Sequence, residues 1–172
     1  KTTTAINLAT YLAQSGKKIL LVDIDPQGNA PSGLWINKHD IKHSVYHILI
    51  DDVDPRSIMI STQINNLSLF PSNLNLTGAE VELVSVLGRE HKLKKALADL
   101  LDEFDFILID CPPSLGLLTI NALSAANSVL IPIQCEYYAL EGLSQLVSTV
   151  NLVKDNLNPA LEIEGVLLTM AD

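Results

Sequence analysis

Apolar residues recur at helical spacing from the start of the chain. Ala5, Leu8, Ala9 and Leu12 share one face of residues 2–14, and Ser15-Gly16 offers a stop, so the spacing predicts an amphipathic helix. Residues 19–22 then form a continuous apolar run closed by Asp23 and Asp25, with Pro26 and Gly28 breaking whatever follows. That is the pattern of a strand buried on both faces of a parallel sheet. Residues 106–109, 129–133 and 163–168 repeat it, each behind a helical stretch. In one such stretch Leu93, Leu97, Leu100 and Leu101 lie on one face while Lys92, Lys94, Lys95 and Asp99 point elsewhere; in another, Leu140, Leu143, Val147 and Val150 line up. Strands alternating with helices predict a βαβ series: an α/β fold with an open, mainly parallel sheet and helices on both faces.

Residues 37–85 carry no clear period. Leu67–Phe70 is strand-like, and short helices are expected over Val45–Ile50 and residues 79–87. No internal repeat, low-complexity tract or linker interrupts the sequence, so residues 1–172 read as one domain. Composition then narrows the class. Hydrophobic residues make up 48% and charged residues 18%, below the ~25% charged of an average soluble domain, which suits covered strands and excludes intrinsic disorder. No apolar run exceeds four residues, far short of the ~20 that span a bilayer, so a soluble chain is expected. Cys111 and Cys135 have no metal-ligand spacing and no leader ahead of them, which reads as buried, inert thiols in a reducing cytoplasm. His39, His43, His47 and His91 stand in polar segments without further ligands, and Lys92, Lys94 and Lys95 read as a solvated face.

Four stretches carry candidate chemistry. Lys1-Thr2-Thr3-Thr4 opens the first helix and matches the last residues of a Walker A loop, where Lys reaches phosphate oxygens and a hydroxyl ligates Mg²⁺ at a helix N-terminus. A simple helix start reads the same way. Asp23 and Asp25 close a buried strand, at the end of an α/β sheet where ligands collect. Spacing of two puts them on one side of the strand unless the turn starts before Asp25, and acids also begin turns for structural reasons alone. Phe106-Ile107-Leu108-Ile109-Asp110 has the form of a Walker B strand, with a carboxylate at a dry sheet end beside Mg²⁺, and Pro112-Pro113 forces an extended loop after it. The fourth stretch, residues 131–142, shows only a strand turning into a helix; Tyr137-Tyr138 within it read as packing residues or as a platform for a base.

Taken together and in this order, Lys1-Thr2-Thr3-Thr4-Ala5, Val22-Asp23-Ile24-Asp25-Pro26-Gln27-Gly28-Asn29, Ile109-Asp110-Cys111-Pro112-Pro113-Ser114 and Gln134-Cys135-Glu136-Tyr137-Tyr138-Ala139-Leu140-Glu141-Gly142 closely resemble the ParA/Soj family of deviant Walker A partition ATPases, relatives of MinD. The resemblance implies a P-loop NTPase fold of the SIMIBI type, with ATP and Mg²⁺ as ligands. It implies Lys1 as the Walker A lysine, Thr2 as a Mg²⁺ ligand and Thr3 as part of the nucleotide site. Asp25 matches the acid that positions the attacking water, Asp23 the neighbouring switch carboxylate, and Asp110 the Walker B acid near Mg²⁺. It further implies an ATP-dependent homodimer, nonspecific DNA binding, hydrolysis stimulated by a ParB/Spo0J-type partner, and a cytoplasmic, nucleoid-associated location without membrane attachment.

The chain departs from the family in places. Pro31 and Trp35 stand where the family often has Thr and Gly, a change that either alters the loop after Asp25 or is absorbed by it. Against the family pattern the first strand, most of the phosphate loop and the C-terminal part are missing, so the 172 residues alone are expected to be inactive, with DNA-facing basic residues beyond residue 172. A net charge of −9 without a basic cluster agrees with that. Two other readings are a MinD-like membrane-recruited positioning ATPase, which needs a C-terminal amphipathic helix, and a nucleotide-binding regulatory module without turnover.

Overall fold

The computed structural model describes residues 1–135 and 139–170, with side chains for all of these except 139–141. At its centre is β1 (Ile19–Asp23), five residues that are all buried. It pairs in parallel with β3 (Leu67–Phe70) on one side and β4 (Phe106–Asp110) on the other. A two-residue antiparallel strand, β2 (Ile60–Ser61), closes the β3 edge, giving the order β2-β3-β1-β4. A second ladder pairs β5 (Ser128–Gln134) with β6 (Glu162–Thr169), again in parallel, with an irregularity at Val129/Leu130. The mainly parallel α/β architecture is as expected. That it falls into two ladders, with β4 and β5 unpaired to each other among the described residues, is not foreshadowed by the apolar pattern.

Alternate residues of β1 feed opposite faces, as the pleat requires. Ile19 and Leu21 meet Ala9 and Ala13 of α1 (Thr2–Gln14), together with Leu67 and Leu69. Leu20 and Val22 meet the other layer, made by α3 (Val45–Ile50), α4 (Leu76–Glu82), α5 (Lys92–Leu97) and α6 (Leu117–Ala125). A smaller cluster joins Leu123 of α6 to Val150 and Val153 of α7 (Ala139–Asn156) and to Leu161. Between layers, Asn121 of α6 satisfies three backbone groups: its Oδ1 accepts from Leu93 N–H at 3.1 Å, and its Nδ2 donates to the carbonyls of Arg89 and Leu117 at 2.8 and 3.0 Å.

Several local expectations shift. The helix expected over residues 79–87 starts earlier, at Leu76, and gives way to a 3₁₀ turn at Leu83–Ser85. Leu101 is not on the buried face with Leu93, Leu97 and Leu100; it is 60% exposed. Lys92 is not a solvated lysine, since its Nζ pairs with Asp52 at 2.7 Å. Val150 is buried and Leu143 and Val147 are half-buried, while the side chain of Leu140 and residues Tyr137 and Tyr138 lie outside the described residues. His47 caps its own helix α3, its Nδ1 accepting from Ser44 N–H at 3.0 Å in a capping box.

Candidate active site

Because the register pairs Asp23 with Asp110, β1 and β4 end in adjacent carboxylates. Both are withdrawn from water, Asp23 fully and Asp110 to 3% exposure. Asp23 is gripped by the loop that follows it. Its Oδ1 accepts from Asp25 N–H and its Oδ2 from Ala30 N–H, each at 3.0 Å. Burial pushes its carboxyl up to about 7; those two N–H groups pull it back, and the charges of Asp110 and Asp25 add to the rise. Asp110 is raised too, chiefly by burial, against a hydrogen bond from Thr2 and the positive charge of Lys1. One oxygen, Asp110 Oδ2, is buried without a hydrogen-bond partner among the described residues.

β1 stops at Asp23, so Asp25 belongs to the turn and not to the strand. Its Oδ1 accepts from Gln27 N–H at 2.9 Å, and its carbonyl accepts from Gly28 N–H at 2.9 Å and from the buried Ser72 hydroxyl. Gly28 is needed here: its φ is +58°, and a Cβ would come within 3.0 Å of the Ser72 carbonyl oxygen. The chain then enters α2 (Asn29–Gly33). Pro31 is absorbed, one of the two outcomes left open for it: it sits in the first turn of α2, where an N–H has no intrahelical partner. After α2, Trp35 N–H donates to Ser32 O and Ile36 N–H to Pro31 O, a Schellman stop. Its left-handed position is held by Trp35 at φ +57°, where glycine is the easy occupant.

Lys1 precedes α1, and its Nζ donates to the Pro112 carbonyl at 3.4 Å, over the loop leaving β4. Thr2 and Thr3 form the first turn of α1, which carries no acidic residue, and Thr3 is exposed. The structure therefore gathers Lys1, Thr2, Asp23, Asp25 and Asp110 at one end of the sheet. Glu136, Tyr137 and Tyr138 of the fourth stretch lie outside the described residues. Of the cysteines, Cys111 is half-buried with its thiol pushed up to about 12 by burial, whereas Cys135, expected to be buried, is exposed.

Two contributors carry no local signal in the sequence. Ser72 follows β3 yet braces the Asp25 turn. Glu80 of α4 places a carboxylate against the start of α6, 3.5 Å from Leu118 N–H, and fills the space a Cβ on Gly116 would need. Both act across the fold, so only the tertiary structure exposes them.

Chemically, the end of α1 offers backbone N–H groups and a lysine to an anion, with the positive end of the helix dipole behind them. Beside it, the unpaired Asp110 oxygen and the Thr2 hydroxyl fit a hard divalent cation, which takes one or two carboxylates and completes its shell with phosphate oxygens and water. A phosphate chain with Mg²⁺ matches this donor set.

The AAA domain family AAA_31 matches residues 1–163. Over the whole chain, 60% of residues are identical to the sporulation initiation inhibitor protein Soj of Bacillus subtilis, covering 68% of that protein. Identity is 58% to the chromosome partitioning protein ParA of Myxococcus xanthus, of which 61% is covered. The chain thus spans roughly two thirds of the length of these curated relatives. Among solved structures, a cobyrinic acid a,c-diamide synthase from Mycobacterium smegmatis, crystallised with a bound ATP analogue and magnesium, superposes with a TM-score of 0.95 at 42% identity, over 99% of this chain and 70% of that one. The match along nearly the full length, together with paired carboxylates at the strand ends beside a lysine-led helix, places the chain in the ParA/Soj family of partition ATPases.

Proposed function

We propose that residues 1–172 are a single P-loop ATPase domain of a DNA-segregation switch. ATP binding drives a homodimer, the dimer holds DNA without sequence preference, and a ParB/Spo0J-type centromere-binding partner stimulates hydrolysis in the cytoplasm at the nucleoid. The observation that carries the reading is the convergence of Lys1, Thr2, Asp23, Asp25 and Asp110 on one sheet end, with an oxygen of Asp110 lacking a partner among the described residues. Support for partition over other roles comes from the relatives at 60 and 58% identity, whose names are Soj and ParA. No helix of the described residues is long and apolar enough to cross a membrane.

In this reading Lys1 and the first turn of α1, including Thr3, hold the nucleotide phosphates. Thr2 and Asp110 hold Mg²⁺, which when bound neutralises charge building on the phosphate oxygens. Asp25, in a turn braced by Ser72 and Gly28, orients the attacking water. Asp23, held by two backbone donors, sets the shape of that turn and hence the position of Asp25. Catalysis of this kind rests on positioning, which explains why so many backbone donors converge on two side chains. The chain itself carries −9, so DNA contacts are assigned to basic residues outside these 172.

The test uses the natural protein that contains this chain. Asp25→Ala is expected to bind Mg-ATP with near wild-type affinity, lose turnover, and sediment as a trapped dimer; Lys1→Ala is expected to lose binding itself. Equal loss of binding and hydrolysis in Asp25→Ala would assign Asp25 to structure or metal. A monomer under all nucleotide conditions would overturn the switch.

A further inference from the structure

α6 follows the loop that leaves Asp110, and its N-terminus lacks a cap of its own. The residue at the cap position is Gly116, which makes no side-chain cap bond, and the first turn holds no acidic residue. The backbone at Gly116 is extended, φ −85° and ψ −168°, a conformation open to any residue. A side chain is excluded there by something else: a Cβ would overlap the Glu80 carboxylate, which comes in from α4 and lies 3.5 Å from Leu118 N–H. The first-turn N–H groups of a helix need partners, and a negative group is favoured at that end. A serine at 116 would supply a partner locally. What the distant carboxylate adds, and a local cap cannot, is a tie between the start of α6 and α4.

Both ends of that tie lead to the site. α4 is anchored in the core by Leu76 and Ala79, and the Ser72 hydroxyl just ahead of it donates to the Asp25 carbonyl. On the other side, residues 111–116 run from Asp110 to Gly116, and Pro112 and Pro113 remove two N–H donors from this loop. Its carbonyls are engaged: Pro112 O accepts from Lys1 Nζ at 3.4 Å, and Ser114 O from the Thr119 hydroxyl of α6 at 2.6 Å. Shifting the start of α6 therefore moves the carbonyl on which Lys1 rests, relative to a turn that Ser72 holds still.

We infer that Glu80 is a positioning residue for ATP hydrolysis: docked on Gly116, it fixes the 111–116 loop against the Asp25 turn, so that the lysine and the water-orienting acid address the same phosphate. The inference rests on the roles proposed above for Lys1 and Asp25. Glu80 acts through the loop and not on the reacting atoms, so its removal lowers the rate more than the affinity. A misplacement of about 1 Å by a change remote from the chemistry costs on the order of 100-fold in rate.

The test uses the natural protein that contains this chain and measures kcat, Mg-ATP affinity and the urea midpoint of its variants. Glu80→Ala is expected to lower kcat about tenfold or more, with affinity held within about threefold. Glu80→Gln, which keeps the length and an acceptor oxygen, is expected to keep most of the rate. Gly116→Ser pushes the flexible carboxylate aside while its own hydroxyl caps α6, so the midpoint stays near wild type and kcat falls as in Glu80→Ala. Glu80→Ala combined with Gly116→Ser is expected to recover the midpoint yet stay as slow as either single variant, since all three lack the same contact. Wild-type kcat in either serine variant would overturn the inference and leave Glu80 a cap. So would losses of kcat that track the midpoint across the set, or a Glu80→Ala loss of affinity as large as its loss of rate. No ATP turnover in the unsubstituted protein, or full turnover in Asp25→Ala, would overturn the underlying reading and this inference with it, before any Glu80 variant is made.

Discussion

Replacing Asp23 by Asn should remove the pH dependence of stability that this one side chain imposes. Asp23 sits fully buried at the end of β1, and its carboxyl is raised from 3.8 to about 7, with burial as the main cause. Between those two values the folded chain holds a proton on Asp23 that the unfolded chain has released, so stability falls as pH rises, and the fall ends once the folded group has ionised. The full penalty on the ionised form is about 4 kcal/mol at ~1.4 kcal/mol per pH unit. From pH 5.5 to pH 8 the loss is about 2 kcal/mol, because the decline has already begun below 5.5 and flattens above 7. Asn removes the charge but offers only one acceptor oxygen to two backbone donors, Asp25 N–H and Ala30 N–H, at a cost of about 1–3 kcal/mol. The variant should therefore be the more stable protein at pH 8 by about 1–3 kcal/mol, and its advantage should shrink or reverse at pH 5.5. Urea denaturation of both proteins at the two pH values, with chelator and without nucleotide, measures this. Parallel declines of the two proteins between pH 5.5 and 8 would refute the assignment of a buried, neutral Asp23.

Three further outcomes follow from the same geometry. Gly28→Ala forces a side chain into φ +58° and against the Ser72 carbonyl, so it should cost about 1–3 kcal/mol in denaturation while Gly16→Ala, with open space around it, costs only the backbone strain. Trp35→Gly relieves a left-handed tryptophan at the end of α2 whose side chain is 74% exposed, and should stabilise by about 1 kcal/mol or leave stability unchanged; a clear loss would show that the indole packs. The isolated 172 residues should bind Mg-ATP weakly in calorimetry, because Lys1 and the first turn of α1 supply only part of a phosphate cradle; micromolar affinity would show that they suffice.

Much of the fold was legible because its signals are local. α1 and the four apolar strands were marked by period and run length, and their ends by Gly, Pro and Asp. The site carboxylates were legible for the same reason, since Asp23 and Asp110 each close such a run and the register brings them together. What escaped was set by distant partners. β2 is two residues long and exists only because β3 offers an edge. Whether the loop absorbs Pro31 was not legible until its position in the first turn of α2 made its missing N–H irrelevant.

The stretch from Ser72 to Glu80 touches both loops of the site, bracing the Asp25 turn at one end and the start of α6, just past the Pro112-Pro113 loop, at the other. It works as a ruler. Leu76 and Ala79 between the two contacts are buried in the core and hold the spacing by packing, so an inserted or deleted residue would shift one loop against the other. Tolerance to length change should therefore be lower here than in the loop between α3 and β2, whose ends brace neither turn.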